Sequence, residues 1–226
     1  MGIFKRPFFS HRKGENFIKN DFPSSYLHKY QGIAIARFSV HYHISANFLS
    51  LISIPIGLLG AYCFAVNQLI LGALLFWIRM MLDSADGKTA RLSGNITKLG
   101  KKLDYIGDTV CPIAMYFGLW WSQYYVQGEA VIGSIVIGCH YLVIFVGFIL
   151  LQNYSYKTFF SDISSYYSPF EEAYITFFFA PLLGIVKIAV PLAIVLQMVS
   201  YSILIVKRGE VQDVKKSIKN MLFHVR

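Results

Sequence analysis

Four aspartates within residues 83–108 are the side chains of this chain best arranged to do chemistry together. Asp83 and Asp86 are three residues apart and Asp104 and Asp108 are four apart, spacings that place each pair on one face of a helix. If the two helices lie side by side, the carboxylates meet in one pocket. That much negative charge in apolar surroundings needs cations to neutralise it. The pattern therefore predicts a metal site.

The ligand type indicates which metals this site would take. Clustered carboxylates with no cysteine or histidine beside them suit Mg2+, Mn2+ or Ca2+ rather than Zn2+. Such ions bind a diphosphate well, and two of them about 4 Å apart stabilise the attacking and leaving oxygens of an in-line displacement. A solvated charged loop is the alternative interpretation, but a loop has no reason to keep two carboxylate pairs in helical register.

The spacing D-x2-D-G-x2-A-R-x8-G-x3-D-x3-D resembles the signature of the CDP-alcohol phosphotransferases, integral membrane enzymes of phospholipid head-group synthesis. Every position of that pattern is filled, by Asp83, Asp86, Gly87, Ala90, Arg91, Gly100, Asp104 and Asp108. The resemblance implies a CDP-linked alcohol as donor, whose diphosphate is cleaved to release CMP. It also implies a cofactor of Mg2+ or Mn2+, with two ions expected.

The resemblance assigns roles to the four aspartates. It implies that Asp83, Asp86 and Asp104 are metal ligands. Asp108 resembles the position of a general base that takes the proton from the acceptor hydroxyl, and we expect it to touch a metal as well. Because a free aspartate is a weak base at neutral pH, this role requires a tuned environment and a positioned hydroxyl.

Five further residues are candidates for donor binding. The small residues Gly87, Ala90 and Gly100 would let a nucleotide lie against the backbone, although helix packing also explains them. Arg91 is expected to grip diphosphate oxygens, with contact to anionic lipid as its alternative. Asn47, at the start of the first apolar run, is expected either to face the nucleotide or to cap its helix.

The composition predicts an all-α, polytopic integral membrane protein with six transmembrane helices. The chain is 55% hydrophobic and only 15% charged, whereas soluble domains are nearer a quarter charged. We expect a basic N-terminal segment over residues 1–40, containing an amphipathic interfacial helix. Residues 41–207 are expected to form the six-helix catalytic domain, and residues 208–226 a basic tail.

The apolar runs give the predicted spans. The run 69–82 covers only about 21 Å at 1.5 Å per residue, less than the hydrocarbon core of about 30 Å. We therefore expect its helix to continue through residues 83–91, which carries the first aspartates into a cavity at membrane depth. Residues 174–206 are too long for one span and are expected to turn near Gly184, Lys187 and Pro191. The other predicted spans are 44–66, 103–125 and 131–151.

The net charge of +9 is distributed in a pattern typical of membrane topology. Lysines and arginines precede the first apolar run, follow the last and occupy the loop between the aspartate pairs. With six spans these groups fall on one side, so the positive-inside rule places both termini and the active site in the cytoplasm. The basic excess then reflects topology and anionic lipid contact, and no nucleic acid partner is expected.

Several polar residues keep two interpretations at this point. Arg79 stands four residues before Asp83 and is expected to form an ion pair with it or to hold phosphate. His140 is expected to be a hydrogen-bonded interior residue, with a catalytic role as the less favoured alternative. Glu171 and Glu172 are expected to meet an acceptor head group or to be ordinary loop charge. A phosphorylated acceptor would need basic residues, for which the candidates are Lys98, Lys101, Lys102 and Lys157.

The predicted function is transfer of a substituted phosphoryl group from a CDP-alcohol to a hydroxyl acceptor. The favoured version moves phosphatidyl from CDP-diacylglycerol to a small soluble alcohol. The alternative moves phosphocholine or phosphoethanolamine from a CDP-amino-alcohol to diacylglycerol. A membrane cation transporter is a hypothesis of another class, which the clustering of carboxylates toward one face disfavours. A homodimer is expected from the resemblance alone, and the acceptor stays open.

Overall fold

The computed structural model describes residues 26–151 and 169–208, and every regular element in these two ranges is helical. This confirms the all-α prediction for the described part of the chain. A π-helical turn, Trp121–Tyr125, continues α4, and another, Ile175–Phe179, joins α6 to α7. The α-helices are α1 (Tyr26–His41), α2 (Ala46–Ala65), α3 (Leu69–Ser93), α4 (Lys98–Trp120), α5 (Ala130–Leu151), α6 (Pro169–Tyr174), α7 (Ala180–Leu183) and α8 (Val186–Arg208).

Helix α3 continues without a break from its apolar half into its aspartate half, as its short apolar run predicts. Helix α4 begins at Lys98, earlier than the predicted start at residue 103. The cause is a cap, because the Oγ1 of Thr97 accepts a hydrogen bond from the backbone N–H of Gly100 at 2.9 Å. The second aspartate pair therefore lies inside a formed helix rather than at its first turn.

The predicted turn in the last apolar stretch is right at one residue and wrong at two. Gly184 ends α7 with φ +68°, a left-handed conformation that glycine adopts without steric cost. Lys187 and Pro191 mark no turn, since both lie within α8. Helix α8 continues through Pro191, although proline supplies no backbone N–H to bond the carbonyl oxygen four residues earlier.

Close helix contacts hold α3 and α4 against α2. At Gly72 of α3 a Cβ atom would overlap the ring of Phe64, and at Gly118 of α4 it would overlap the carbonyl oxygen of Ala61. A core of buried side chains extends from this contact to α6 and α8; it includes Phe64, Phe76, Met115, Phe177 and Ile194. Helix α2 is thus the central support of the two helices that carry the aspartates.

Helix α1 packs along the half of α3 that leads into the aspartates. The indole Nε1 of Trp77 donates to the carbonyl oxygen of Leu27 at 2.9 Å. Further along, Gly32 lies so close to Ser84 that a Cβ atom there would sit 2.7 Å from the serine Oγ. The helix within the predicted N-terminal segment is therefore docked against the site-bearing helix. Its position at a lipid interface stays a prediction.

Among residues 26–151 and 169–208, one helix, α2, is long and apolar enough to cross a membrane by length and composition. Shorter apolar stretches cover residues 130–145, 172–183 and 186–202. The count of six spans stays a prediction. The predicted tail beyond α8, Lys157 and most of the N-terminal segment lie outside the described residues, as does the side chain of Glu171.

Candidate active site

A short link joins the two helices that carry the aspartates. Helix α3 ends at Ser93 and is capped by Gly94. The φ of +71° at Gly94 turns the chain, and its N–H donates to the carbonyl oxygen of Ala90. Helix α4 then begins at the Thr97 cap. In the described ranges α3 and α4 contact one another little, and each instead packs extensively against α2. The aspartates therefore face a cleft between α3 and α4, with α2 behind it.

Three of the four aspartates meet in this cleft. Asp83, Asp104 and Asp108 each offer a carboxylate oxygen, and these oxygens all lie within 4.8 Å of one another. Asp83 is half-buried, whereas Asp104 and Asp108 are exposed. Clustered carboxylate oxygens are the ligands that Mg2+, Mn2+ and Ca2+ prefer. The donor set and its spacing therefore fit a divalent cation that is open to solvent on one side.

Asp86 is not part of this three-carboxylate cluster. It is 5% exposed, and its Oδ2 accepts a hydrogen bond from the Oγ of Ser50 on α2 at 2.5 Å. Its Oδ1 accepts from the backbone N–H of Gly87. A role for Asp86 as a metal ligand stays a prediction, and in this structure its contact is with α2. Ser50 was not a sequence candidate.

A signal for Ser50 was nevertheless present in the sequence. Asn47, Ser50, Ser53 and Gly57 recur at three- and four-residue intervals in the otherwise apolar α2. That spacing puts these polar and small residues on one helix face. The structure turns the buried members of this stripe toward α3 and α4, where the site lies.

Arg79 contacts two of the three clustered carboxylates. Its Nη2 lies 2.9 Å from the Oδ1 of Asp108 and 3.6 Å from the Oδ1 of Asp83. The ion pair with Asp83 that the four-residue spacing predicts is present, but the shorter contact crosses from α3 to α4. The sequence missed this partner, because a contact between helices depends on their packing and leaves no spacing signal.

Asn47 joins the beginning of α2 to the beginning of α4. Its Oδ1 accepts a hydrogen bond from the Oγ1 of Thr97 at 2.8 Å. Ser45 caps α2 instead, by accepting from the N–H of Phe48 at 3.2 Å, so capping is the wrong alternative for Asn47. A Cβ atom at Gly100 would sit 2.7 Å from the Asn47 oxygen. Gly100 is therefore required for this close approach, beside the mouth of the cleft.

The remaining donor candidates lie on the last two turns of α3. The guanidinium of exposed Arg91 covers Gly87, since a Cβ atom at Gly87 would sit 3.4 Å from its Nη1. Ala90 is half-buried on the same turns. Lys88, which the signature leaves free, donates to the carbonyl oxygen of Ser84 at 2.9 Å. The basic side chains of Lys88 and Arg91 thus lie one to two helical turns beyond Asp83 on α3.

A second polar cluster, formed by Tyr116, His140 and Glu172, is buried away from the aspartates. The His140 Nδ1 lies 3.1 Å from the Oε1 of Glu172, and the Tyr116 hydroxyl donates to the same carboxylate. His140 is therefore a hydrogen-bonded interior residue, as expected. Glu172 is 3% exposed, so it does not present its carboxylate to a soluble acceptor. The candidate lysines Lys98, Lys101 and Lys102 are exposed on the first turn of α4.

Comparison with known proteins identifies the family. The family model for CDP-alcohol phosphatidyltransferase matches residues 43–223, a range that includes the whole cleft. The chain belongs to the CDP-alcohol phosphatidyltransferase family. This agrees with the resemblance carried by the aspartate spacing.

Two curated relatives match part of the chain. An archaetidylinositol phosphate synthase of Pyrococcus horikoshii is 33% identical over 76 residues, which are 34% of this chain and 40% of that protein. The inner membrane protein YnbA of Escherichia coli is 37% identical over 79 residues, or 33% and 39% of the two chains. The chain thus aligns with about 40% of the length of each relative.

A solved structure shares the fold. The crystal structure of Mycobacterium tuberculosis phosphatidylinositol phosphate synthase PgsA1 with CDP-DAG bound has a TM-score of 0.54 to this chain. The superposition covers 75% of this chain and 88% of that one at 19% identity. The apo form of the same protein gives a TM-score of 0.50. At this identity the likeness shows the fold alone.

Proposed function

We propose that this protein is a membrane enzyme that transfers a phosphatidyl group from CDP-diacylglycerol to the hydroxyl of a small alcohol. The acceptor oxygen attacks the phosphorus that carries the lipid, the bond to the CMP phosphate breaks, and CMP leaves with its electron pair. The observation that carries this proposal is the cluster of Asp83, Asp104 and Asp108 within the region that the family model matches.

We propose Mg2+ or Mn2+ as the cofactor, most simply two ions. Asp83, Asp104 and Asp108 would hold them, with Asp86 as the fourth ligand if its carboxylate exchanges Ser50 for a cation. When bound, such ions neutralise the diphosphate and stabilise the leaving oxygen of CMP. The residues fit such a cofactor because three carboxylates approach one another while, among the described residues, only one cation, Arg79, contacts them, which leaves negative charge for a divalent ion to neutralise.

In this proposal Asp108 takes the proton from the acceptor hydroxyl. Its side chain is 57% exposed, so an acceptor arriving from the open side of the cleft can reach it. Arg79 binds its Oδ1, which leaves the Oδ2 for the hydroxyl. A general base of this kind contributes about 10²- to 10⁴-fold to rate when it is within hydrogen-bond distance of the proton.

The donor would be bound by the end of α3 and the start of α4. Arg91 would contact diphosphate oxygens through its guanidinium fork, while Gly87 and Ala90 leave room beside the backbone. Gly100 and Asn47 lie together across the cleft mouth. The Pyrococcus horikoshii relative is an archaetidylinositol phosphate synthase and the structural neighbour is a phosphatidylinositol phosphate synthase. A phosphorylated polyol is therefore the first acceptor to test, with Lys98, Lys101 and Lys102 as its nearest exposed cations.

We further propose that the protein is integral to the membrane, with six spans and with the site and both termini in the cytoplasm. The support is the distribution of basic residues and the apolar length of α2. Membrane lipids are then permanent partners of the outer helix faces. A homodimer rests on the family resemblance alone.

The donor is tested by incubating the purified, reconstituted protein with labelled CDP-diacylglycerol and, separately, with labelled CDP-choline and CDP-ethanolamine plus diacylglycerol. We expect labelled phospholipid only from CDP-diacylglycerol, and only when a hydroxyl acceptor is added. Product from a water-soluble donor alone would overturn this donor and favour the amino-alcohol phosphotransferase. Metal-dependent ion flux through vesicles, with no product from any donor, would favour the transporter instead.

A further inference from the structure

Arg79 lies outside the aspartate signature, yet it is the cation in closest contact with the clustered carboxylates in the described residues. It stands one helical turn before Asp83 on α3, and its side chain is 3% exposed. Its Nη2 donates to the Oδ1 of Asp108 at 2.9 Å and lies 3.6 Å from the Oδ1 of Asp83. One buried guanidinium therefore binds a carboxylate on each wall of the cleft.

The path of this side chain is set by two glycines. A Cβ atom at Gly57 of α2 would sit 2.9 Å from the Cδ of Arg79, and one at Gly107 of α4 would sit 3.6 Å from its Nη2. The side chain thus passes through space that α2 and α4 leave empty. Because α2 and α4 close this space on both sides, the guanidinium has few other positions from which to bind Asp108.

The other atoms of the guanidinium are poorly satisfied. Nη1 contacts the sulfur of Met80 at 3.5 Å, the Cys111 thiol also interacts with the side chain, and Nε is buried with no hydrogen-bond partner in the described part of the chain. A buried charge with unpaired donors costs free energy, so ordinary packing does not explain an arginine here. The contacts that compensate this cost are those to Asp83 and Asp108.

We propose that Arg79 is a positioning residue that serves as the resident counter-ion of the metal centre. It holds one oxygen of Asp108, so that the other oxygen points to the acceptor and Asp108 does not bind a cation through both. Its positive charge also weakens cation binding by the cluster, because it repels a divalent ion a few ångströms away. The inference rests on the proposed function at one point, that these carboxylates bind divalent cations.

The competing explanation is that Arg79 only links α3 to α4 and stabilises the fold. In that case loss of the guanidinium lowers the stability of the protein and leaves its cation affinity unchanged or weaker. A counter-ion predicts tighter binding when the charge is removed. Arg79→Met removes the charge and keeps much of the length, whereas Arg79→Lys keeps the charge and loses the planar fork.

The experiment measures Mn2+ binding to purified protein in detergent, without substrates, from the electron paramagnetic resonance signal of free Mn2+. We expect Arg79→Met to bind Mn2+ about tenfold more tightly or better, and Arg79→Lys to keep the wild-type affinity. Lys88→Met is the matched control, because Lys88 is a cation on the same helix that bonds to Ser84 rather than to a carboxylate. It should change the affinity much less than Arg79→Met.

Turnover gives the second measurement. We expect Arg79→Lys to lower kcat at least about tenfold with KM for the donor nearly unchanged, because only the orientation of Asp108 is lost. Wild-type kcat in Arg79→Lys would overturn the positioning role even if Arg79→Met does not fold. Equal or weaker Mn2+ binding by a folded Arg79→Met would overturn the counter-ion role alone. Absence of Mn2+ binding by the wild type would instead contradict the proposed metal site.

Discussion

Asp104 and Asp108 lie one turn apart on α4, but the contacts of their side chains differ. The Oδ1 of Asp108 is bound by Arg79, so one oxygen of this carboxylate is occupied before any ligand arrives. Asp104 is exposed and shares the three-carboxylate cluster with Asp83. The difference supports cation binding as the main role of Asp104 and proton transfer as the main role of Asp108.

Substitution of each aspartate by asparagine separates these two roles. We expect Asp104→Asn to abolish turnover and to weaken Mn2+ binding, because it removes a charged ligand. Asp108→Asn should lower kcat by about 10²-fold or more. Its affinity for the donor, measured by calorimetry, should stay close to that of the wild type. Equal loss of donor binding in both variants would argue against Asp108 as a dedicated base.

Gly100 gives a prediction that rests on one close contact. In Gly100→Ala the new methyl would sit 2.7 Å from the Oδ1 of Asn47, so either the Asn47 side chain moves away from the Thr97 hydroxyl that it binds or the start of α4 shifts. We expect a loss of about 1–3 kcal/mol in the free energy of unfolding and weaker donor binding. The double variant Asn47→Ala, Gly100→Ala should recover most of the stability. No recovery would mean that the contact with Asn47 is not the cause.

At the scale of elements, the site depends on α2 more than on the link between α3 and α4. Both helices pack on α2, and Gly118 allows α4 to approach the carbonyl of Ala61. A carbonyl oxygen cannot rotate away as a side chain can. The spacing of α4 from α2, and with it the width of the cleft, is therefore set by a backbone contact.

Gly118→Ala should accordingly destabilise the protein and reduce cation binding, because the added methyl overlaps the Ala61 carbonyl and displaces α4. Gly138→Ala on α5 is the matched control, since a Cβ atom there meets no atom within 4 Å. We expect the control to be neutral or slightly stabilising, as alanine is the better helix former. Equal melting temperatures for the two variants would refute the close-contact explanation.

The Tyr116, His140 and Glu172 cluster connects α4, α5 and α6 through one buried carboxylate. Glu172→Ala removes the acceptor that the other two side chains share and leaves only the 3.3 Å contact between the Tyr116 hydroxyl and the His140 Nδ1, so we expect a loss of about 1–3 kcal/mol in the free energy of unfolding. The ion pair of Lys187 with Glu129 at 2.6 Å is partly exposed, so Glu129→Ala should lose less than about 1 kcal/mol. Denaturant or thermal unfolding monitored by circular dichroism compares the two, and a larger loss in Glu129→Ala would contradict this account.

Local pattern was enough to predict some of these elements. The short apolar run before Asp83 required α3 to continue. The helical spacing within the two aspartate pairs was enough to predict a carboxylate cluster, which three of the four aspartates form. The contacts of Ser50 with Asp86 and of Arg79 with Asp108 were beyond such reasoning. They depend on how α2, α3 and α4 pack, which no spacing within one segment encodes.

At the scale of the whole molecule, the family match spans most of the described helices. The family model covers residues 43–223, so α2 to α8 all belong to it, while α1 precedes it and packs on α3. The many exposed apolar side chains and the carboxylate cluster between α3 and α4 are consistent with the proposed transfer from a lipid donor to a water-soluble acceptor. In that proposal each substrate would reach the carboxylates from its own phase.

The most direct test of the central claim is CMP release by the purified, reconstituted protein. The assay supplies CDP-diacylglycerol and a panel of polyols and phosphorylated polyols, first with Mg2+ or Mn2+ and then with a chelator. We expect release that requires the cation and one acceptor, and that disappears in Asp108→Asn. Release that persists under chelation, or no release from a folded protein that binds Mn2+ and CDP-diacylglycerol, would contradict the proposed reaction.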